Sequence, residues 1–188
     1  MARMPYADLE QAPERVREAL AALPAKLNVF RMMAHAQTLF PHWMRLGGAI
    51  LGRAKLSPRL RELVILRVAR LSRCEYEWTQ HVPIAKACGI DDPQIEALAA
   101  GTSDAPGFDD ADRLVLRVTD EAIRDVRLPD ATFAEAAKRF SHQEIVELLM
   151  TVGFYRGLAM VLESTGVDVD PPAGTAIVDD IARRRAPR

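Results

Sequence analysis

At 188 residues the chain is long enough for one domain with a sizeable core, and its formal net charge of -1 gives no electrostatic case for nucleic acid or an anionic membrane surface. Hydrophobic residues make up 49% and charged residues 27%, the balance of a soluble globular protein rather than a disordered or membrane-spanning one. The basic run of Arg183, Arg184, Arg185 and Arg188 stands at the very end, where a solvated tail accounts for it.

The opening MARMPYADLEQ carries no apolar signal core, and the chain has only two cysteines. The cytoplasm is therefore the expected compartment. Strand alternation is scarce, and helical periodicity recurs between Pro, Gly and Asp. An arm over 1–24 ends in a short Ala-rich helix at 14–23, closed by Pro24. A second helix is expected over 29–39 with Asn28 as N-cap. Pro41 suits the first turn of a third, reaching about Gly52. Gly47 and Gly48 lower its helix propensity and point to close helix approach rather than ligand contact. Ser57 and Pro58 cap and open a helix to about Leu71; Ser72 and Arg73 form a tight junction. The next helix starts near Cys74 and ends by Gly89, with Pro83 expected to kink it just after His81. Asp92 and Pro93 begin a short helix to about Ala100.

The loop 101–108 divides the chain into two helical halves of a single domain, 1–188. Asp109 or Asp110 caps a helix to about Arg124. Thr132 with Glu135, and Ser141 with Glu144, have capping-box spacing and place helices over 131–140 and 142–163. The latter is apolar on nearly every side but interrupted by Glu147 and Arg156. It reads as a core helix rather than a membrane span, covered at the centre of the bundle or at a subunit interface. A faint echo links 57–71 with 141–163. The tail, 169–188, is expected to be extended and mobile. The fold class is all-α, an antiparallel helical bundle.

Chemistry concentrates in 61–88. Glu62 shares its helical face with Ile65, Leu66 and Ala69; burial there would raise its pKa and suit a proton relay, the alternative being an ion pair with Arg59 or Arg70. Cys74 is either a small buried hydrophobe or a thiolate favoured by a helix N-terminus and Arg73. Glu77 and His81, four apart, can touch, so the carboxylate can orient the imidazole; a surface ion pair is the alternative. Trp78 and Tyr76 suit packing. His35, His42 and His142 have no partners at diagnostic spacing. Cys74, Glu77 and His81 offer three ligand types on one helix but no matching second pair, so no metal is expected. Cys88 lies about 21 Å from Cys74 along a continuous helix, too far for a disulfide.

The stretches RELVILRVARL, CEYEWTQH and EIVELLMTVGFYRGLAMVL resemble the carboxymuconolactone decarboxylase superfamily, which includes alkylhydroperoxidase D. The resemblance covers most of 25–168, and its most specific part is the spacing Glu-x11-Cys-x2-[Cys/Glu]-x3-His. It implies a bundle like that of alkylhydroperoxidase D, a small-molecule substrate, no cofactor, and a homo-oligomer (dimer, trimer or hexamer). Peroxidase members carry Cys-x-x-Cys, with glutamate and histidine relaying protons. Carried across, Glu62 matches the relay glutamate, Cys74 the first cysteine and His81 the histidine, while Glu77 occupies the second cysteine's place. The two-cysteine cycle then fails, and a one-cysteine cycle with an external thiol stays open. Decarboxylase members use acid/base groups on a carboxylated unsaturated lactone, a step a Glu/His/Glu set can serve. The expected activity is a cofactor-free lyase or isomerase acting on a small organic acid or lactone through Glu62, Cys74, Glu77 and His81. The alternatives are a Cys74-dependent hydroperoxide reductase and a non-catalytic helical oligomer.

Overall fold

The structure, a computed structural model, describes residues 1–8, 10–103 and 105–185. Asp104, in the loop expected over 101–108, and Arg188, in the terminal basic run, lie outside these residues. Among the described residues there are ten helices and no strand: α1 (Glu14–Ala21), α2 (Asn28–Met33), α3 (Phe40–Arg53), α4 (Pro58–Ser72), α5 (Glu75–Ala87), α6 (Asp92–Ala100), α7 (Asp110–Asp125), α8 (Asp130–Arg139), α9 (His142–Thr165) and α10 (Ala176–Arg185).

The helix at the centre is α4, packed against α5, α7 and α9. Every residue from Arg61 to Ala69 is buried, so this helix has no solvent face along that stretch. Its start follows from Ser57, whose hydroxyl accepts from the Leu60 N–H, and from Pro58 in the first turn. Charges on a helix wrapped on all sides need partners. Arg59 reaches both carboxylate oxygens of Asp112, and Arg67 both oxygens of Asp120, so two forked ion pairs fasten α4 to α7.

The long helix α9 begins at a capping box in which Ser141 and Glu144 satisfy each other's backbone N–H groups. By length and composition it is apolar enough to cross a membrane, yet it packs against α4, α7, α3 and α8. Its coverage is not complete: Val146, Met150 and Met160 are exposed. At Gly47 α3 comes close to α9, since a Cβ there would lie 3.0 Å from the Phe154 ring.

Several local expectations change. Leu27 precedes α2 and Asn28 lies inside it, its backbone N–H donating to Asp170 (2.6 Å). The box at Thr132 does not form: α8 starts after Pro129, and the Thr132 hydroxyl donates to Glu121 instead. Helix α5, by contrast, contains Pro83 and stops at Ala87 just before Gly89, as expected. The segment expected as an extended, mobile tail carries α10, which packs on α3. Ile177 and Ile181, four residues apart, give α10 an apolar edge that the neighbouring arginines mask in the sequence.

Asp112 is fully buried beneath Arg59. Asp112→Ala strands that guanidinium and is expected to lower the unfolding free energy by about 3–5 kcal/mol, read from urea denaturation.

Candidate active site

Helix α4 ends at Ser72, Arg73 turns left-handed (φ 54°), and Cys74 caps α5, its N–H donating to the Ala69 carbonyl at 2.9 Å. This tight reversal lays α5 back along α4 and brings together two side chains nineteen positions apart. Glu62 Oε2 lies 2.8 Å from His81 Nδ1. Glu62 Oε1 accepts from Arg61 Nε at 3.1 Å and from a second nitrogen of that guanidinium at 3.0 Å. Arg61 also donates to the Leu51 carbonyl at 2.8 Å. Glu62 is 0% exposed and His81 8%. Against the Arg61-bound carboxylate, Nδ1 carries the ring hydrogen, which leaves Nε2 as the lone-pair nitrogen. The edge of Tyr155 packs on the imidazole with 5.0 Å between ring centroids.

The partner of Glu62 is therefore Arg61, not Arg59 or Arg70; Arg59 is held by Asp112, and Arg70 donates to the Ala99 carbonyl at 2.6 Å. The expected Glu77–His81 hydrogen bond is also absent. Both carboxyl oxygens of Glu77 are buried without a hydrogen-bond partner, and the residue is 2% exposed. Burial pushes its pKa well up, the charge of Glu163 adds to this, and Arg156 opposes it. Cys74, 1% exposed, follows the same logic: burial first, then the charges of Glu77 and Glu163, push its thiol up and override the helix N-terminus. Cys88 sits at the opposite end of α5, its thiol raised by burial and by Glu62.

Glu77 and His81 open on a cavity of about 450 Å³, while Glu62 and Cys74 lie behind its wall. Trp43, Phe154 and Tyr155 make the aromatic side, with Trp43 and Phe154 stacked at 5.3 Å. A Cβ at Gly48, which lines the cavity, would meet nothing within 4 Å, so the close helix approach expected there holds for Gly47 and not for Gly48. The far wall is α10, and the segment before it is clasped by α5: Tyr76 donates to the Asp170 carboxylate, and Gln80 bonds the Asp170 and Pro171 carbonyls and the Ala173 N–H. Sequence reasoning had missed Tyr155, Glu163 and Arg61 as members of this site. The available signals were a tyrosine within an apolar helix, which needs a reason to be buried, and an arginine beside the glutamate in the chain. His35, His42 and His142 are exposed and do not line this cavity, though His42 bonds Arg45 at its rim. Among the described residues, no group of three or more His, Cys, Asp or Glu is placed to hold a metal ion.

Residues 37–121, which include Glu62, Cys74, Glu77 and His81, match the model of the carboxymuconolactone decarboxylase family. Over this segment, just under half of its length, the chain is similar to the carboxymuconolactone decarboxylase family. Its fold is similar to that of a peroxidase-related protein with an alkylhydroperoxidase core from Ralstonia eutropha JMP134, at 17% identity and a TM-score of 0.79 over 100% of this chain and 98% of that one. A peroxidase-related protein from Silicibacter sp. TM1040 is similar at 18% identity, TM-score 0.76, over 90% and 92% of the two chains. The debrominase Bmp8 in its apo form is similar at 17% identity, TM-score 0.69, over 94% and 96%. No curated protein matches the chain in sequence.

The raised pKa of Glu77 ties stability to pH. Unfolded, the carboxyl ionises near its ordinary 4.5; folded, it keeps its proton to higher pH. Above pH 4.5 the unfolded state sheds a proton that the folded state retains, so this contribution to stability falls as pH rises until Glu77 itself ionises. Glu77→Gln removes the effect. Its Tm should match that of the parent near pH 4 and exceed it by several degrees at pH 8, as measured by calorimetry.

Proposed function

We propose that the chain is an acid/base enzyme, a lyase or isomerase that moves a proton to or from carbon in a small lactone-like molecule, with His81 as the proton carrier. The observation that carries this reading is the buried Arg61–Glu62–His81 chain ending on the cavity. Glu62 holds the ring through Nδ1, which turns Nε2 into the nitrogen available to a bound molecule. In an isomerisation, Nε2 takes a proton from carbon beside a carbonyl, the electron pair spreads into the carbonyl, and the proton returns to a different carbon. In a decarboxylation, loss of carbon dioxide leaves the same delocalised pair, and the imidazolium protonates it. Arg61 and Glu62 stay in place throughout and stabilise the transient imidazolium.

The hydroperoxide-reductase alternative needs a thiolate at Cys74. The burial of that thiol and the two carboxyl groups beside it favour the protonated form, which weighs against that chemistry. A purely structural role for Glu62 has its ion pair with Arg61 in its favour, but not the cavity at His81.

Deuterium uptake from D2O into a panel of small unsaturated lactones and cyclic ketones, followed by mass spectrometry, tests the reading. Cys74→Ser should retain uptake, His81→Ala should lose about a hundredfold or more, and Glu62→Gln should fall between them. Uptake that survives in His81→Ala, or is absent from the parent protein, sinks the proposal. Cys74 should also resist iodoacetamide and mild peroxide at neutral pH while half-buried Cys88 is modified first, as peptide mass mapping would read. Rapid sulfenate formation at Cys74 would restore the peroxidase reading.

A further inference from the structure

The wall that carries His81 also carries a second polar group with no task in that proton relay. Glu77 is nearly fully buried, lines the cavity, and has no hydrogen-bond partner on either oxygen. An orphaned buried carboxyl is costly and calls for an explanation. Two other polar side chains on the same helix are engaged. The Tyr76 hydroxyl holds Asp170 and accepts from the Val29 N–H, and the Gln80 amide clasps the segment before α10. The cations at the rim are exposed and occupied: Arg184 pairs with Asp180 and donates to the Ala22 carbonyl, and Arg45 bonds His42.

The charge around Glu77 decides what it can bind. From α9 it faces Glu163 and, more weakly, Arg156; Cys74 lies beside it at the start of α5. The Arg61 guanidinium is bound to Glu62 behind the wall and to the Leu51 carbonyl. The inner end of the cavity thus has no free cation among its described lining residues, and two carboxyl groups stand at or behind it. An anionic ligand group placed there would feel the charge of Glu163, which already bears on Glu77, with no free lining cation to offset it. A neutral oxygen would meet a donor, because a carboxyl that keeps its proton presents an O–H. The remaining wall is apolar and aromatic, and about 450 Å³ lies within the range of small-molecule sites.

We infer that this cavity selects neutral, ring-containing molecules with one hydrogen-bond-accepting oxygen, and that the Glu77 carboxyl reads that oxygen by donating to it. The inference rests on the reading of His81 as proton carrier only for the position of the reacting carbon. It narrows the expected substrate from an organic acid or a lactone to the neutral member of that pair.

Three probes of similar shape test it by calorimetric titration: 1-tetralone (neutral, one acceptor oxygen), naphthalene (no acceptor) and 2-naphthoate (anionic). At pH 7, 1-tetralone should bind about tenfold tighter than naphthalene, and 2-naphthoate weakest. Glu77→Gln, whose amide still donates, should keep that order. Glu77→Leu, with its helical content checked by circular dichroism, should bind tetralone and naphthalene alike. Equal binding of these two by the parent protein, tighter binding of 2-naphthoate, no binding of any probe, or an unchanged preference in Glu77→Leu would each overturn the inference. His81→Gln separates the two readings: loss of deuterium uptake with the binding order intact supports both. A failed binding order in a parent protein that still exchanges deuterium overturns only the ligand class.

Discussion

The constraint on which the rest depends is the buried ion pair between Arg61 and Glu62, extended to His81. Two charges on adjacent residues of a helix with no solvent face can be accommodated only if every donor and acceptor is met. Arg61 meets one oxygen of Glu62 and the Leu51 carbonyl; the other oxygen of Glu62 meets His81. These bonds tie the end of α3, the opening turns of α4 and the middle of α5 to one another. The left-handed turn at Arg73 sets the relation between α4 and α5, and the forks from Arg59 and Arg67 hold α4 against α7. The imidazole is thus oriented by the same interactions that hold the bundle together. A site built this way needs no mobile loop to position its ring.

Two carboxyl groups close to one imidazole end up with different roles because their surroundings differ. Glu62 is met by a guanidinium and a ring nitrogen, whereas Glu77 has apolar packing, a neighbouring carboxylate and no donor. A group with donors aimed at it serves as a fixed acceptor, and one left without them holds its proton. Cys74 lies on the Glu77 side of this division. Its place at a helix N-terminus favours thiolate, but dehydration comes first, and the carboxyl groups of Glu77 and Glu163 beside it favour the thiol, so together they outweigh the dipole.

Much of the fold was legible in the sequence because its signals are local. Ser57-Pro58, Asp109 and Ser141 start helices where their capping chemistry says they should, and the Ser72-Arg73 junction falls where expected. The residue types of the candidate site were legible too, through the spacing of Glu62, Cys74, Glu77 and His81. Their pairing was not. Helical spacing joins Glu77 to His81, and only the packing of α4 on α5 shows that Glu62 takes that place. For the most apolar helix the sequence left the centre of the bundle and a subunit interface both open. The most apolar helix, α9, leaves Val146, Met150 and Met160 exposed, while α4 is buried despite its arginines. Hydrophobicity counts side chains one at a time; an arginine can lie inside if a distant aspartate meets it, and the pairs with Asp112 and Asp120 span 53 positions.

The division between chemistry and cavity shape follows the chain. Glu62, Cys74, Glu77 and His81 all fall within 37–121, the segment that matches the family. Phe154 and Tyr155 come from α9, Ile177 and Ile181 from α10, and Ala19 and Leu23 from in and after α1, all outside that segment. The C-terminal part is fixed by long-range bonds, since Asp170 accepts from Asn28 and Tyr76 and Gln80 grips the turn beyond it. The wall opposite His81 is thus supplied by a stretch whose own sequence looks like a loose tail. The polar side chains of the α4–α5 pair and the helices that shape the volume they face thus come from different parts of the chain. The left-handed Gly174, between the clasp and α10, is the place where this wall meets its anchor, and the cavity keeps its shape only while the clasp holds.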